Sequence, residues 1–316
     1  MPLPDFLIAG VPKAGTTALH TALRRHPDLF LSRVKEPKFF LTDGPPPHTG
    51  GPGDADTYRE HVWRRTDYEA LFTDAPPGAL TGESTPFYLY DTAAQRRIHA
   101  LTPEVKIILT LRDPVERAHS NWTHLWSAGL EPIGDLVRAC EAEPKRIADG
   151  WGHFWHYTGL GRYGEQLAHL FSLFPREQVL IFRYRDVVDR PATTLDQVCA
   201  FLGVRTGLLT EVPRQNVTAH PRAGARHAVL ATLRRRLPAP LAGPVEGLLQ
   251  RRGQARRPLE WEQRQRLIPY FADDIRLLQE LTGDDYGDWL RHRPRSGGLV
   301  GVRPPGQRQA RNGRRS

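Results

Sequence analysis

Cysteine is scarce in this sequence: only Cys140 and Cys199 occur among 316 residues. Neither stands at a metal-ligand spacing, which argues against a disulfide framework or a zinc site, and both are expected to be packed thiols. Long apolar runs are also lacking. No stretch approaches the ~18 residues of a membrane-spanning helix, and the N-terminus has no charged region followed by a long apolar stretch. We therefore predict a cytoplasmic protein with neither a membrane span nor a secretion signal.

Acidic residues are outnumbered, 35 against 44 lysines and arginines, so the formal net charge is +9. Six of the arginines lie in residues 294–316, which hold no acidic residue and are rich in Gly and Pro; without them the charge falls to +3. This composition predicts a disordered basic tail behind one domain at 1–293. With 39% hydrophobic residues, the chain can bury a substantial core. The remaining positive excess suits a polyanionic cofactor or substrate.

The first motif lies near the N-terminus, where a short apolar run breaks into a glycine-bracketed loop and then opens a helix. Residues 6–9 predict a buried parallel strand, and Gly10 and Gly15 allow the backbone to turn tightly. Such a loop points backbone N–H groups and the positive end of a helix dipole at one anion. Lys13 would meet that anion from within the loop, because it precedes the second glycine rather than following it as in nucleotide-binding P-loops. The hydroxyls that would assist it are those of Thr16, which can also cap the helix, and Thr17.

Several further apolar runs predict parallel strands that alternate with helices. The clearest is Lys106–Leu111, and the others are expected at Leu29–Leu31, 79–83 and 179–182. This alternation predicts an α/β fold of three layers, with a central parallel sheet flanked by helices. Ligands gather at the carboxyl ends of such strands, so Lys13 and Arg112, each just past a strand, are expected to face the same crevice.

Other segments predict one long loop and several helices. Residues 43–56 are rich in Pro and Gly, which predicts a mobile surface loop and a candidate substrate lid. Helices are expected at 58–72 and near 228–237 and 244–251. One long amphipathic helix, over about 260–281, is expected to pack across the sheet.

Four sequence segments follow one another in a specific order. They are GVPKAGTT, KEPKFF, LRDPVERAHSNW after the strand KIILTL, and GRYGEQLAHLFSLFPREQVLIFRYRD followed by CAFLG. On these segments the chain resembles the sulfotransferase family that uses 3′-phosphoadenosine 5′-phosphosulfate (PAPS), especially the branch of heparan sulfate sulfotransferases and their bacterial relatives. The resemblance extends to about residue 293. It implies a bacterial enzyme with the P-loop-like form of the three-layer fold.

The resemblance also implies which residues bind PAPS and its product, 3′-phosphoadenosine 5′-phosphate (PAP). Arg112 and Ser120 would bind the 3′-phosphate, and the planar fork of a guanidinium suits a phosphate dianion. Arg252 and Arg256 match only approximately the basic loop that closes over the nucleotide in relatives. The residues that would bind the 5′-phosphosulfate are Pro12, Lys13, Ala14, Gly15, Thr16 and Thr17.

The reaction implied is transfer of an SO3 group, in line, from the bridging oxygen of the donor to an acceptor hydroxyl. Negative charge grows on the leaving oxygen, and Lys13 would neutralise it as cationic clamps do in phosphoryl transfer. In the family the glutamate of the Lys-Glu-Pro segment acts as the base, and here it matches Glu36, with His124 as the reserve base. No metal is expected, because the sulfuryl group carries less negative charge than a phosphoryl group.

One departure from the family concerns the acceptor. Glycan sulfotransferases have Glu-Lys-Thr-Pro where this chain has Glu83-Ser84-Thr85-Pro86. The missing lysine argues against a strongly anionic glycan and favours a smaller or less charged acceptor, such as a saccharide, a glycolipid or a specialised metabolite. The candidate substrate contacts are Lys38, Glu83, which could instead cap backbone amides, and Trp155, whose aromatic cluster could instead be core.

Two other functions stay open on the residues alone. A Mg²⁺-dependent, kinase-like enzyme that uses nucleoside triphosphates would need Asp113 as a metal ligand, although the displaced Lys13 and the intervening Arg112 count against it. A polyanion- or nucleic-acid-binding protein would use the basic C-terminal residues. These lack the interleaved aromatics of a stacking surface, so we expect no specific nucleic-acid binding. The sequence leaves the oligomeric state open.

Overall fold

One parallel sheet lies at the centre of the described part of the chain, residues 3–213 and 258–291 of a computed structural model. Its strands run in the order β2-β3-β1-β4-β5, and every neighbouring pair is parallel. The strands are β1 (Phe6–Gly10), β2 (Leu29–Leu31), β3 (Leu80–Ser84), β4 (Lys106–Leu111) and β5 (Val179–Arg183). The predicted strands are therefore confirmed to within a residue or so at each end.

Helices surround the sheet. Those of the described residues are α1 (Thr16–Leu23), α2 (Asp54–Arg59), α3 (Arg65–Ala70), α4 (Thr92–Leu101), α5 (Pro114–Ser127), α6 (Leu136–Glu141), α7 (Glu143–Ala148), α8 (Tyr163–Phe171), α9 (Tyr184–Asp189), α10 (Pro191–Leu202), α11 (Trp261–Leu267) and α12 (Ala272–Thr282). Short 3-10 turns lie at Phe39–Leu41, His153–Trp155, Gly159–Gly161, Arg176–Gln178, Ile268–Tyr270 and Gly287–Leu290.

The central strand, β1, is covered on both faces. All of its residues are buried, which is why its sequence is a continuous apolar run rather than an alternating one. Leu7 and Ala9 join a core with side chains of α5, α8 and α12, while Phe6 and Ile8 join a second core with α1 and α10. Gly82 on β3 lies opposite Phe6, where a Cβ would come within 2.3 Å of the phenyl ring. The three-layer α/β fold is confirmed.

The helix predicted at 58–72 is in fact two short helices, α2 and α3. The first begins at Asp54, inside the segment 43–56 that was predicted to be a loop. The Asp54 carboxylate is buried and accepts hydrogen bonds from the N–H groups of Gly51 (2.6 Å) and Gly152 (2.7 Å). It therefore fixes the end of the Pro- and Gly-rich segment to the body of the domain.

The long final helix is also divided. The turn Ile268–Tyr270 separates α11 from α12, and it contains Pro269, which lacks an N–H and cannot continue a helix without strain. Beyond it, α12 packs against α8. Asp274 of α12 accepts hydrogen bonds from the N–H groups of Gly164 and Glu165, both at 2.9 Å, and so caps the start of α8.

Three predicted segments lie outside the part of the chain that the structure describes. The helices near 228–237 and 244–251 and the basic tail at 294–316 fall outside the described residues. Within the described ranges, no helix has the length and apolar character needed to cross a membrane. Both cysteines, Cys140 and Cys199, are buried free thiols, as predicted.

Candidate active site

The turn from β1 into α1 leaves the first amides of the helix without an internal acceptor. The first hydrogen bond within α1 runs from the N–H of Leu19 to the carbonyl of Gly15 (3.1 Å), so the N–H groups of residues 15–18 precede it. Gly15 occupies the N-cap position with φ of 84°, and no side chain of the described residues caps the helix. Thr16, predicted as a cap, is instead the first helical residue. Uncapped amides at a helix N-terminus form a site for an anion.

The loop residues differ in what they offer to a ligand. Ala14 is fully buried and its N–H donates to the carbonyl of Val11 (3.3 Å), so this amide braces the loop instead of serving an anion. Pro12 is also buried and has no N–H to donate. Lys13 and Thr17 are half-buried. The helix amides precede the first hydrogen bond of α1, and the side chains of these two residues flank them.

Arg112, directly after β4, reaches across to this loop. Its Nη1 donates to the carbonyl oxygen of Lys13 (3.1 Å), and its Nη2 lies 3.3 Å from a carboxylate oxygen of Glu116. The guanidinium also stacks on the ring of Tyr184, 4.9 Å from its centroid. Its Nε is buried without a hydrogen-bond partner among the described residues. The structure thus brings together the two loops that were expected to meet.

Tyr184 also lies at this junction, although no sequence motif singles it out. It is the first residue after β5, at the carboxyl end of the strand beside β4. A Cβ on Gly15 would come within 2.9 Å of its ring, so glycine is needed there on steric grounds as well as for its φ. The signal was an aromatic residue directly after a predicted strand, in VLIFRYRD. Residue type alone did not separate it from a core aromatic.

Asp113, the metal ligand that the kinase alternative requires, is fully used by the fold. Its Oδ1 accepts hydrogen bonds from the N–H groups of Val115 and Glu116, both at 3.0 Å, and so caps α5. Its Oδ2 accepts a hydrogen bond from Nη2 of Arg264 at 2.6 Å. An acidic N-cap also closes this helix end to other anions.

Ser120 and His124 lie on α5, one turn apart and therefore on the same side of the helix. Both are half-buried. The His124 ring packs edge-on against Phe154, with centroids 5.6 Å apart. The residue expected at the 3′-phosphate and the reserve base are thus neighbours on the helix that follows Arg112.

The expected base, Glu36, lies on a turn tied to the end of β3. Its N–H donates to the carbonyl of Ser84 (3.0 Å), and its carboxylate forms an ion pair with Lys35. The Glu36 side chain is 28% exposed, so a substrate can reach it. Lys38 differs, because its side chain is only 6% exposed and its Nζ is paired with Glu60 at 2.9 Å. In this structure Lys38 is a packed and compensated cation.

Three non-glycine residues in the described ranges have a left-handed backbone: Lys13 (φ 69°), Glu36 (φ 61°) and Lys38 (φ 61°). This conformation costs an L-residue roughly 1–2 kcal/mol. Proteins retain such strain mainly where function requires it. All three residues were singled out from sequence motifs, and their backbone geometry marks the same two turns independently.

Glu83 was predicted to contact the substrate, but the structure places it in the core. The side chain is fully buried at the end of β3, with no surface for an acceptor to touch. Burial raises the pKa of its carboxyl to about 7, and hydrogen bonds from Tyr88, Thr85 and Tyr68 oppose that rise. The nearby charge of Glu36 adds to it. The residue type suited a cleft, but this position of β3 points into the core.

Trp155 is also buried rather than part of an open pocket wall. Its side chain is 1% exposed, and its Nε1 donates to Oδ1 of Asp54 at 3.1 Å. Its ring packs edge-on against Trp151, with centroids 4.9 Å apart. Trp155 therefore supports the carboxylate that fixes the Pro- and Gly-rich segment, and the core interpretation of the aromatic cluster applies at this residue.

Comparison with known proteins identifies the family. A model of the Sulfotransferase family matches residues 51–207. The chain is 32% identical over 204 residues to human heparan sulfate glucosamine 3-O-sulfotransferase 6, covering 64% of this chain and 53% of that protein. The crystal structure of a sulfotransferase from Alicyclobacillus acidocaldarius matches with a TM-score of 0.73 at 26% identity, covering 92% of this chain and 100% of that one. The chain belongs to the sulfotransferase family.

The chain spans about half the length, or less, of the curated human relatives named here. Besides the 3-O-sulfotransferase, it is 26% identical over 309 residues to human bifunctional heparan sulfate N-deacetylase/N-sulfotransferase 3. That overlap covers 92% of this chain but only 31% of the relative. The family and the fold inferred from the motifs are confirmed.

A row of half-buried rings continues from His124. Phe154 packs against Phe87 with centroids 5.8 Å apart, and Phe87 lies 6.5 Å from His153. Burial lowers the pKa of His153, which favours the neutral ring. We call His124, Phe154, Phe87 and His153 the ring row. It presents an aromatic surface with little charge beside the helix that carries Ser120.

Two expected cofactor ligands, Arg252 and Arg256, lie outside the described residues, so their role stays a prediction. Within 3–213 and 258–291, no group of three or more His, Cys, Asp or Glu side chains is arranged to hold a metal ion.

Proposed function

We propose that this chain transfers a sulfuryl group from PAPS to a hydroxyl group of an acceptor. The observation that carries the proposal is the open N-terminus of α1, where uncapped amides, Lys13 and the Arg112 guanidinium lie at one junction. The family assignment supports it, as does the bacterial sulfotransferase that matches 92% of the chain.

The residues at this junction fit a nucleotide that carries phosphate groups at two positions. The amides of residues 15–18 and the Lys13 side chain suit the 5′-phosphosulfate, while Arg112 and Ser120 suit the 3′-phosphate. When bound, PAPS supplies an activated sulfuryl group attached to a phosphate oxygen. Lys13 places positive charge at the loop, where it can stabilise the charge that develops on that oxygen. The contact of Arg112 with Glu116, which is 37% exposed, must weaken for both guanidinium ends to turn to phosphate.

Glu36 is the side chain best placed to take the proton of the acceptor hydroxyl. It is partly exposed, and its turn is fixed to β3 by the hydrogen bond to Ser84. An acceptor that displaces Lys35 from the carboxylate frees an oxygen to accept that proton. His124, beside Ser120 on α5, remains the reserve for this role.

The acceptor that these residues favour carries little negative charge. Lys35 and Lys38 are each paired with a glutamate, and Ser84 stands where glycan sulfotransferases have a lysine. The ring row adds an aromatic surface with little charge. These features favour a neutral saccharide, a glycolipid or a specialised metabolite such as a phenol. They disfavour heparan sulfate, the glycan in the name of the human relative.

Nothing in the described residues favours the kinase alternative, because both oxygens of Asp113 are engaged by the fold. A polyanion-binding role for the basic tail concerns residues outside the described ranges. Independence from metal, a cytoplasmic location and a bacterial origin remain predictions, and so does the use of PAPS itself.

A transfer assay tests the proposal. The protein is incubated in EDTA with PAPS labelled in the sulfuryl group and with acceptors of different class: a naphthol, a neutral oligosaccharide and a long-chain alcohol. We expect labelled product with at least one of them. Lys13→Ala and Glu36→Gln should each lower turnover at least about hundredfold. Lys145→Ala, with a side chain 81% exposed on α7, is the matched control and should keep full turnover.

Two results would contradict this proposal. One is a failure to label any of these acceptors combined with a failure to bind PAP. The other is phosphoryl transfer from ATP that depends on Mg²⁺, which would restore the kinase alternative despite the engagement of Asp113.

A further inference from the structure

We propose that Glu83 is a positioning residue for the turn that carries Glu36, and that it acts through two buried hydroxyl groups. This inference rests on the proposed role of Glu36 as the base. We call residues 36–40 the base turn. Glu83 is 0% exposed and cannot touch an acceptor itself. It directly precedes Ser84, whose carbonyl accepts the N–H of Glu36, so the end of β3 and the base turn are already joined.

The first additional link runs through Thr85. The Oγ1 of Thr85 donates a hydrogen bond to Oε2 of Glu83 at 2.9 Å. This Thr85 Oγ1 also accepts a hydrogen bond from the N–H of Lys38 at 3.3 Å. Thr85 is 0% exposed and Lys38 is 5% exposed, so solvent water has no access with which to replace either partner. Glu83 thus holds the backbone at residue 38 through one hydroxyl.

The second link runs through Tyr88. Its hydroxyl lies near enough to the Glu83 carboxyl to oppose the rise in the pKa of Glu83. The same hydroxyl accepts a hydrogen bond from the N–H of Phe40 at 3.5 Å. The rings of Phe40 and Tyr88 also pack edge-on, with centroids 5.4 Å apart. The two links hold the base turn at two alternate backbone amides.

The direction of these hydrogen bonds gives the carboxylate its importance. A hydroxyl has one hydrogen to donate and lone pairs that accept. Thr85 accepts from the N–H of Lys38 in a fixed orientation because its own hydrogen points at Glu83. Tyr88 accepts from the N–H of Phe40 beside it. An amide or apolar side chain at this position would leave at least one hydroxyl without its acceptor, in a region closed to water.

The base turn needs such support because its backbone is unfavourable by itself. Glu36 and Lys38 both adopt the left-handed conformation, which persists in an L-residue only when the surroundings enforce it. If the links at residues 38 and 40 are lost, the turn can relax and carry the Glu36 carboxylate away from an acceptor. Binding of PAP should be preserved, because the α1 junction does not depend on these links.

Tyr68 provides a matched control within the same cluster. Its hydroxyl donates to the other carboxylate oxygen, Oε1 of Glu83, at 3.3 Å. Its contact with the base turn is made by its ring, which stacks on Phe39 with centroids 4.1 Å apart. Tyr68→Phe removes the hydroxyl and keeps the ring, so it perturbs the carboxylate without breaking either link.

Amide hydrogen exchange in the full chain measures the links directly. We expect Glu83→Gln to speed exchange at both Lys38 and Phe40 by about tenfold or more. Thr85→Val should do so at Lys38 alone, and Tyr88→Phe at Phe40 alone. The conservative Thr85→Ser keeps a hydroxyl and should restore the wild-type exchange rate, and Tyr68→Phe should leave both amides nearly unchanged.

Turnover supplies the functional readout. On an acceptor identified by the transfer assay, Glu83→Gln should lower kcat about tenfold or more, while the KM for that acceptor and the affinity for PAP stay within about threefold. Thr85→Val should also lower kcat, by a smaller factor, and leave the KM for the acceptor and the affinity for PAP nearly unchanged. If Glu83 and Thr85 only stabilised the fold, their variants would contain less active enzyme. Thr85→Ser would then not restore the kcat that Thr85→Val loses.

Two results overturn the proposal: wild-type exchange at Lys38 and Phe40 in Glu83→Gln, or exchange that rises equally in β4, which would make Glu83 a general packing residue. If Glu83→Gln does not fold, amide exchange at Lys38 is compared in Thr85→Val and Thr85→Ser. Wild-type exchange at Lys38 in Thr85→Val then overturns the proposal. A wild-type protein that fails to bind PAP would refute the proposed function, and the exchange result would still judge the links themselves.

Discussion

Two turns connect a strand to a helix at the same edge of the sheet, and they differ in what satisfies the first amides of the helix. After β4, Asp113 caps α5 with two hydrogen bonds of 3.0 Å and pairs with Arg264. After β1, Gly15 stands at the N-cap of α1, and no side chain within the described residues caps that helix. One turn is closed by an anion of the protein itself, and the other is open to an external one.

The closed turn nevertheless contributes to the open one. Arg112 directly precedes the Asp113 cap and donates to the carbonyl of Lys13 at 3.1 Å. Because α5 is fixed by its own cap, the arginine is held in place without using the helix amides. Neighbouring loops of a parallel sheet can thus divide recognition of a polyanion, with backbone amides from one loop and a guanidinium from the other.

Converting the open turn into a closed one should have the largest effect. Gly15→Asp puts a carboxylate at the N-cap of α1 and a Cβ within 2.9 Å of the Tyr184 ring. By repelling phosphate and occupying the amides, it should weaken PAP binding about thousandfold, or about 4 kcal/mol, measured by calorimetry. The control is Gly203→Asp at the end of α10, where φ is also 84° but a Cβ would meet no described atom within 4 Å. PAP binding by Gly15→Asp at the wild-type level would refute the comparison.

Opening the closed turn should mainly lower the stability of the fold. Asp113→Ala removes the cap of α5 and leaves Arg264, which is 11% exposed, without its carboxylate. The free energy of unfolding should fall by about 3 kcal/mol in urea titrations. Asp113→Asn keeps an oxygen for the cap and should lose less. A loss below about 0.5 kcal/mol in Asp113→Ala would show that the closed turn needs no anion.

At the end of a third strand, β3, the carboxyl of Glu83 is buried and does not cap a helix. This burial should make the free energy of unfolding depend on pH. The pKa of Glu83 is 4.5 in the unfolded chain and about 7 in the folded protein. At pH values between these two, folded Glu83 binds more protons than unfolded Glu83, so its contribution to stability falls as the pH rises. The free energy of unfolding of wild type relative to Glu83→Gln should therefore fall by about 2 kcal/mol from pH 5 to pH 7. Urea titrations at several pH values measure this difference.

Two histidines act in the opposite direction but do not obscure the test. Burial lowers the pKa of His20 and of His61 to about 4, so their contributions to stability rise with pH. Both are present in wild type and variant and cancel in the difference. A difference that does not change with pH would mean that Glu83 stays ionised in the folded protein throughout this range.

The smallest effect should come from the hydroxyl that α5 contributes. Ser120→Ala should weaken PAP binding about fivefold, or about 1 kcal/mol, by removing one hydrogen bond to phosphate. Binding of adenosine 5′-phosphosulfate, which lacks the 3′-phosphate, should be unchanged. Ser172→Ala, which removes a hydroxyl bonded to the carbonyl of His169 near the end of α8, is the control. An equal loss for both nucleotides would place Ser120 elsewhere in the site.

The sheet and the two turns could be predicted because their signals are local. Buried strands such as Lys106–Leu111 are continuous apolar runs, and the glycines and Lys13 directly follow the first of them. The division of the helices at 58–72 and around Pro269 was not predicted, because the spacing of apolar residues continues across each break. Pro269 was visible, but its effect depends on how the flanking helices pack.

Burial and backbone strain could not be predicted because they depend on the tertiary structure. Glu83 and Trp155 have residue types that suit a cleft, but the packing of the surrounding turns closes both from solvent. The site role of Tyr184 depends on its distance from Gly15, which no motif encodes. The left-handed backbone at Lys13 and Glu36 has no signal in residue type, since this conformation normally favours glycine.

The most direct test of the open turn as a nucleotide site is calorimetric titration with PAP in EDTA, using wild type, Lys13→Ala and Arg112→Ala. The control is Arg276→Ala, with a side chain 62% exposed on α12. We predict micromolar binding to wild type, about 8 kcal/mol, that both substitutions at the junction weaken about tenfold or more and the control does not. No binding of PAP to wild type, with ATP and Mg²⁺ bound instead, would contradict the account.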